Sequence, residues 1–393
     1  MKIAKFEIKK QKGIRIDFLL VFCVLSLVGF GILMVYSASF YQAELTYSNK
    51  FFFMKKQIIG AFIGLVGMTA MYFVDYEKLK KLKWVSIVLS AVLLVLVFIP
   101  HIGVRVYGAK RWINLGFFTL QPSEIAKFGF VLFAASSLAK ANREVKSFKG
   151  ILPTILAGCL MCLLIIMEPN MSITICVGVT MISMLFVGGA SLKHFLLMLI
   201  PIVLLVPVLI IIEPYRLRRL IAFLDPFASA GSEGFQLVQS LYGISSGGLF
   251  GVGLFNSRQK YLFLPFSESD FIFSIIAEEF GLVGCFVIMA IFLVIVIRGM
   301  KISLNAPTRF GTYLASGIVS VIAVQMLVNI AVVSGSIPPT GVPLPFISAG
   351  STSLVVFMSA IGILLNIDKQ THTSSLLKPK VGKQKLLSLK TLK

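Results

Sequence analysis

The chain has 393 residues, of which 57% are hydrophobic and only 13% charged. A soluble protein carries about 25% charged residues, so this composition excludes a soluble multidomain protein and requires most of the surface to face lipid. The balance is strongly basic, 37 Lys and Arg against 16 Asp and Glu for a net +21, and the positions of those residues decide between nucleic acid and positive-inside membrane loops.

A bilayer-spanning helix needs about 20 mostly apolar residues. Such runs predict ten spans, over 17–38, 57–74, 84–100, 122–139, 151–167, 171–188, 194–213, 271–297, 310–333 and 350–367. Six basic residues between Lys2 and Arg15 precede the first. Its apolar stretch is too long for a signal peptide, so it reads as an uncleaved helix. With the N-terminus in the cytoplasm, inner segments hold 25 Lys and Arg, outer segments 11, and Lys127 lies inside a span. That asymmetry places both termini in the cytoplasm and accounts for the basic balance without nucleic acid. The expected fold is an all-α polytopic membrane protein with ten transmembrane helices. A basic cytoplasmic segment, 1–16, precedes the membrane domain, 17–367. A large extracytoplasmic loop, 214–270, joins helices 7 and 8, and a basic disordered tail, 368–393, follows.

Along the chain, the informative residues are polar ones where the charge rule does not put them. The outer loop 101–121 carries Lys110 and Arg111. Glu124 and Lys127 share a face at i, i+3 near the start of the fourth span, after Pro122. A structural ion pair and a role in the site are both open for them. Cys159 and Cys162 have C-x-x-C spacing within an apolar run and read as packing residues, like Cys23, Cys176 and Cys285; no metal site is expected. Arg216, Arg218 and Arg219 follow the seventh span. They either snorkel to headgroups or clamp phosphate through the guanidinium fork.

The 214–270 loop is too long for a plain connection. Residues 233–245 predict an amphipathic helix on the membrane surface. The run Gly247-Gly248-Leu249-Phe250-Gly251-Val252-Gly253 is either a close backbone approach to a ligand or a turn between helices. Asp270 opens the eighth span at the outer boundary, as a helix cap or as a functional carboxylate. Glu278 and Glu279 lie deeper on the same helix and differ by 100° around it, so at least one faces protein or a cavity. The segment Ser336 to Ser351 holds four prolines in eight residues, which cannot be helical. At membrane depth such a segment is buried in protein and reads as a cavity wall, with Pro339, Thr340, Gly341, Pro343, Pro345 and Ser348 facing the space.

These segments form an ordered set. Gly108-Ala109-Lys110-Arg111-Trp112-Ile113, Gln121-Pro122-Ser123-Glu124 with Lys127, Arg219 with Phe223-Leu224-Asp225-Pro226, and Gln236-x-x-Gln239-Ser240 come first. Gly251 to Lys260, Asp270-Phe271-Ile272-Phe273 with Glu278-Glu279, and the Pro338 to Ser348 loop follow. Together they resemble the SEDS family (shape, elongation, division and sporulation; FtsW/RodA/SpoVE type) over essentially the whole membrane region. The Gly251 to Lys260 stretch is closer to its division and sporulation branch. The resemblance implies a ten-helix peptidoglycan glycosyltransferase in the bacterial cytoplasmic membrane, acting on lipid II at the outer face. It also implies a class B penicillin-binding protein as partner, alongside other division or sporulation membrane proteins. The family's catalytic aspartate falls on Asp270. Within the same segments, Lys110, Arg111, Arg219, Gln239, Ser240, Asn256 and Lys260 are the candidate substrate- or pyrophosphate-binding residues, with Glu124, Lys127, Glu278 and Glu279 behind them. The chain departs from the family pattern at Phe266 after Pro265, at Asn170 after Glu168-Pro169, and at Ala349 after Ser348.

The chemistry so implied is attack of a sugar 4-hydroxyl on an anomeric carbon bearing a lipid pyrophosphate. The hydroxyl needs a general base, a task open to Asp270. The pyrophosphate needs preorganised cations, a task open to Lys110, Arg111 and Arg219, with a divalent cation (Mg or Mn) as an option. One base, one attack and a charged leaving group imply single-displacement inversion. A lipid II flippase and a non-catalytic scaffold for cell-wall enzymes are the competing readings.

Overall fold

The computed structural model describes residues 16–106, 109–114, 116, 119–212 and 214–377. Thirteen α-helices and one small sheet follow in chain order. They are α1 (Phe18–Tyr47), α2 (Phe52–Phe73), α3 (Tyr76–Leu79), α4 (Lys83–Leu96), β1 (Gly103–Val106), β2 (Ala109–Asn114), β3 (Thr119–Leu120), α5 (Pro122–Ala141), α6 (Phe148–Met167) and α7 (Met171–Gly188). Then come α8 (Leu192–Ile212), α9 (Pro214–Leu224), α10 (Phe235–Gly247), α11 (Ile272–Asn305), α12 (Arg309–Val333) and α13 (Ser351–Leu377).

Each of the ten expected segments falls on a helix. Among the described residues, seven helices are long and apolar enough to cross a membrane: α1, α2, α6, α7, α11, α12 and the Ser351–Thr373 part of α13. The chain is thus a multi-pass membrane protein. α4, with 14 residues, spans about 21 Å at 1.5 Å per residue, short of a core of about 30 Å. α5 buries a charged pair, Glu124 and Lys127. Large apolar side chains face outward all round the bundle, among them Phe22, Phe62, Phe186 and Phe286, as lipid contact requires. α2 and α13 approach through a stripe of small residues. A Cβ on Gly60, Gly64 or Gly67 would lie within 3.1 Å of Ser351, Met358 or Ser359 on α13.

Three expectations are corrected. The chain is not wholly helical, because 103–120 folds into an antiparallel sheet in the order β1-β2-β3. The tail does not begin at 368, since α13 runs to Leu377; residues 378–393 and 1–15 lie outside the described residues. The helix expected over 233–245 is α10, which buries Leu237, Val238 and Ser240 against protein rather than lying on lipid. A second loop helix, α9, precedes it.

The seam between α1 and α11 gives the scale. At one end Asp17 accepts from Leu20 N and pairs with Arg298 at 2.7 Å. At the other Ser37 donates to Glu279 at 2.7 Å. The two are twenty residues apart on α1, about 30 Å, one hydrocarbon thickness.

α11 is broken at Gly281, which has φ 65 and ψ −165. The glycine-rich run fills the break. Leu282 N and Val283 N donate to Gly248 O and Leu249 O at 2.9 and 3.1 Å, and Val252 N and Gly253 N donate to Glu278 O and Glu279 O at 2.9 and 3.1 Å. Every helix end leaves orphan donors or acceptors, and here one loop satisfies both ends of the interruption. The close approach that these glycines permit is therefore to another backbone: a Cβ on Gly247 would sit 1.9 Å from Ala277 O and one on Gly251 2.2 Å from Glu279 O.

Gly281→Ala places a Cβ 2.4 Å from Gly251 N at a left-handed φ. A loss of at least about 2 kcal/mol is expected, read as a lowered thermal midpoint in detergent. Gly178→Ala, whose Cβ meets nothing within 4 Å, should leave the midpoint in place. Equal midpoints for the two variants would mean that the splice carries no stability.

Candidate active site

The site is organised by the extended segment 337–350, whose Val342, Leu344, Phe346 and Ile347 are buried. Having no helical ladder, its backbone is satisfied by side chains and neighbouring main chain. Asn329 and Gln325 on α12 donate to Val342 O at 2.6 Å and Pro343 O at 2.8 Å. Gln57 on α2 donates to Ser348 O at 3.0 Å and accepts from Gly350 N at 3.3 Å. Ser348 Oγ accepts from Leu344 N at 2.7 Å and donates to Ser269 O at 2.6 Å, and Ala349 N donates to Glu268 O at 2.9 Å. The proline segment is thereby fastened to the residues just ahead of α11.

Asp270 sits in that junction, half-buried, with its main-chain oxygen held by Asn329 Nδ2 at 2.8 Å. It does not cap α11: the N-cap is Phe271, and no side chain bonds there. Its carboxylate instead occupies the space that Gly341 leaves. A Cβ on Gly341 would lie 2.6 Å from Asp270 Oδ2 and 3.9 Å from Arg111 Nη1. Burial pushes the Asp270 carboxyl up to about 6, against the opposing pull of Arg111 and Arg219, with Glu124 adding to the rise. Glu268 is buried, with Oε2 unpartnered. Burial and the neighbouring Asp270 push it to about 7, although its own main-chain N–H pulls the other way.

Arg111 lies on β2 between Trp112, which pairs with Val104, and Lys110, which pairs with Arg105, at the point where the register shifts. Its Nε donates to Glu168 O at 3.3 Å and its Nη2 to Pro169 O. Lys110 is half-buried and pairs with Arg105 across the β1–β2 ladder, where the register shifts. Of the three arginines after α8, Arg219 donates from Nη1 to Pro339 O at 3.0 Å. Arg218 is exposed and pairs with Glu233 at 2.7 Å. The side chain of Arg216 is outside the described residues. Glu124 and Lys127 are fully buried 3.0 Å apart, with Ser353 Oγ on Glu124 at 2.8 Å and Lys127 donating to Gln325 Oε1. Since Gln325 holds Pro343 O, the pair reaches the proline segment through one side chain.

Asp270, Arg111, Arg219, Glu124, Lys127, Pro339, Gly341, Pro343 and Ser348 thus form one constellation, with buried Pro345 in the same segment and Thr340 Oγ1 buried without a partner. The other expected site residues are engaged elsewhere. Glu278 accepts from Ser257 Oγ, Arg258 N and Gln259 N, eight residues and about 12 Å of helix beyond Asp270. Glu279 pairs with buried Lys260 at 3.1 Å, and Lys260 lies among the rings of Phe40, Phe255 and Tyr261. Ser240 bonds Ser274 Oγ and Val333 O, joining α10 to α11 and α12. Asn256 donates to Val252 O within its own turn, and Gln239 is half-buried on α10. Ser240, Lys260, Glu278 and Glu279 fasten the segment between α9 and α11 to the bundle. Asn329, Gln325 and Gln57 went unmarked in the sequence, although polar residues at i, i+4 inside an apolar span were a usable signal for the first two. Among the described residues, no group of three or more His, Cys, Asp or Glu is arranged to hold a metal ion.

The family model described as "Cell cycle protein", FTSW_RODA_SPOVE, matches residues 18–373. Stage V sporulation protein E of Bacillus subtilis is 40% identical over 359 residues, 91% of this chain and 98% of that protein. A probable peptidoglycan glycosyltransferase FtsW of Geobacter metallireducens is 37% identical over 363 residues, 92% of this chain and 97% of that one. Among solved structures, a chain from "Structural coordination of polymerization and crosslinking by a peptidoglycan synthase complex" matches with a TM-score of 0.76 and 25% identity, over 91% of this chain and 98% of that one. The rod shape determining protein RodA of Thermus thermophilus has the same fold, with a TM-score of 0.67 at 24% identity over 91% of this chain and 98% of that one.

Removing one partner of a buried ion pair leaves a buried charge, so Lys127→Met should cost about 3–5 kcal/mol. The double variant Glu124→Gln/Lys127→Met should recover most of that. Thermal midpoints of both in detergent test this; a single variant as stable as the double would show that Glu124 carries no charge needing Lys127.

Proposed function

Since the chain belongs to the FtsW/RodA/SpoVE family of cell cycle proteins, we propose that it is a peptidoglycan glycosyltransferase. In this reading it polymerises lipid II at the outer face of the bacterial cytoplasmic membrane during division or sporulation. The observation that carries this is the placement of Asp270: a carboxyl raised to about 6, shaped by Gly341 and under the influence of two guanidinium groups. At pH 7 it is mostly ionised yet more basic than an exposed aspartate, which suits a general base near the operating pH. It takes the proton from the 4-hydroxyl as the oxygen attacks the anomeric carbon. The bond to the lipid pyrophosphate breaks on the opposite side with inversion, and Arg111 and Arg219 stabilise the charge gathered on the leaving group. Glu124 and Lys127 act through Gln325 on the proline segment and so on the shape of the cavity.

All ten long helices cross the membrane in this reading, including α4, α5 and α8. Both termini lie in the cytoplasm, as the 25 to 11 distribution of basic residues indicates. A class B penicillin-binding protein is the proposed partner, in keeping with the complex coordinating polymerization and crosslinking to which the fold is similar. Many transporters pair broken helices in two halves; among the described helices only α11 carries a residue of non-helical backbone, which favours the transferase over a flippase.

The decisive variant is Asp270→Asn. Polymerisation of labelled lipid II, measured with the partner present, should fall by roughly 10²–10⁴-fold, the usual worth of general acid–base catalysis. The parent rate should decline as pH drops through about 6, because the base is protonated below that value. Near-parental glycan synthesis by the Asn variant would remove Asp270 as the base.

Sidedness is tested by cysteine labelling after replacement of the five native cysteines. Ser232→Cys, in the outer loop, should react with an impermeant thiol reagent in cells stripped of outer layers, and Ser147→Cys only after lysis. The reverse pattern would put the site on the cytoplasmic face.

A further inference from the structure

One helix between α8 and α11 turns an apolar face outward. α9 meets the site through Arg219, which donates to Pro339 O at 3.0 Å, and Ala222 on the same side is buried. At 3.6 residues per turn, Leu217, Ile221 and Leu224 fall within about 60° of one another and about 140–160° from Arg219. They form the side that points away from the bundle: 38%, 56% and 76% exposed, with Phe227, 58% exposed, just beyond. The rest of the helix is rich in arginine, at Arg216, Arg218 and Arg219. The pattern is amphipathic, with its apolar half unburied.

The level of α9 says what covers the stripe. Arg218 pairs with Glu233 at 2.7 Å, and Phe227 lies 6.2 Å from the Tyr242 ring, so α9 and α10 sit side by side. α10 in turn is bonded to the ends of two long apolar helices. Ser240 Oγ donates to Val333 O, the last residue of α12, at 2.7 Å and lies 2.6 Å from Ser274 Oγ in the first turn of α11. Both α11 and α12 are able to cross a membrane, so α9 lies at the plane where two spanning helices end. It also begins two residues after α8 ends at Ile212. An apolar stripe turned outward at that plane meets lipid. Arg218, on its flank and exposed, stands where headgroups begin. Resting on the reading in which α8 crosses the membrane and ends at the outer face, we propose that α9 is seated in the outer leaflet. Leu217, Ile221 and Leu224 enter the boundary between headgroups and acyl chains by about 5–10 Å, and the occupant of the stripe is phospholipid. The surface seat expected for residues 233–245 thus belongs to the helix before them. Because the opposite side of α9 holds Pro339 O, one edge of the cavity wall is fixed to the lipid surface from which a lipid-linked substrate is drawn.

The test is a depth measurement by electron paramagnetic resonance on the full-length protein in nanodiscs of phosphatidylglycerol and phosphatidylethanolamine. With the five native cysteines replaced, Leu217→Cys, Ile221→Cys and Leu224→Cys are spin-labelled one at a time. A thermal midpoint equal to that of the cysteine-free parent shows that each is folded. Molecular oxygen concentrates among acyl chains, whereas a nickel chelate stays in water. Each of the three labels should meet oxygen several-fold more than nickel. Ser232→Cys, exposed in the turns after α9, should show the reverse. Labels on α9 as open to nickel as that on Ser232→Cys overturn the inference. Labels shielded from both oxygen and nickel, with or without the class B penicillin-binding protein, would show protein on the stripe and overturn it as well. The same measurement on Val203→Cys, 59% exposed within α8, separates this inference from the reading it rests on. Oxygen at Val203→Cys with nickel along α9 removes the seat and leaves the crossing of α8 intact. Nickel at Val203→Cys removes the crossing, and the seat with it.

Discussion

Within lipid every backbone N–H and C=O needs a partner, and the structure turns on the two places where the helical ladder cannot supply one. The first is the proline-rich segment ahead of α13, and the second is the break in α11. Each is tolerated because other parts of the chain donate and accept in place of a helix: Asn329, Gln325, Gln57 and Ser348 at the first, the glycine run at the second. Asp270 precedes the break on the chain and adjoins Ser269 and Glu268, whose main-chain oxygens hold the proline segment. Its position is the product of backbone bookkeeping on both sides of it.

The same constraint explains the economy of charge. Among the described residues, most charges near the site lie close to an opposite one. Glu124 and Lys127 neutralise each other, Lys260 and Glu279 do so about 13 Å further along α11, and Arg218 is drawn off by Glu233. Arg111 and Arg219 both act on the carboxyl of Asp270 beside Gly341. Burial raises the carboxyl of Asp270 to about 6 against that pull.

Most of the fold was legible from period and length alone: all ten apolar runs lie on helices. The small sheet was not, because its strands are only four, six and two residues long, and their alternation is brief. The end of α13 was misplaced because a helix that leaves the lipid can continue on polar residues. For the site, Asp270, Arg111 and Arg219 were marked by being charged where the positive-inside rule gave no reason for it. Glu278, Glu279 and Lys260 carried the same mark and proved to be ties between loop and helix, a distinction that depends on which partner lies opposite and so on the fold. Asn329 and Gln325 were hidden by their neutrality.

The spliced break has a mechanical meaning. The part of α11 between Ile272 and Glu279 is a stiff rod of about 11 Å, with Asp270 just beyond one end and the glycine run bonded to the other. Phe250, 79% exposed at the tip of that run, is joined through it to the rod. The segment that carries Phe250 and the residues that lead into α11 at Asp270 are thus held to the two ends of one short, stiff helix, with main-chain bonds and no slack chain at the Phe250 end.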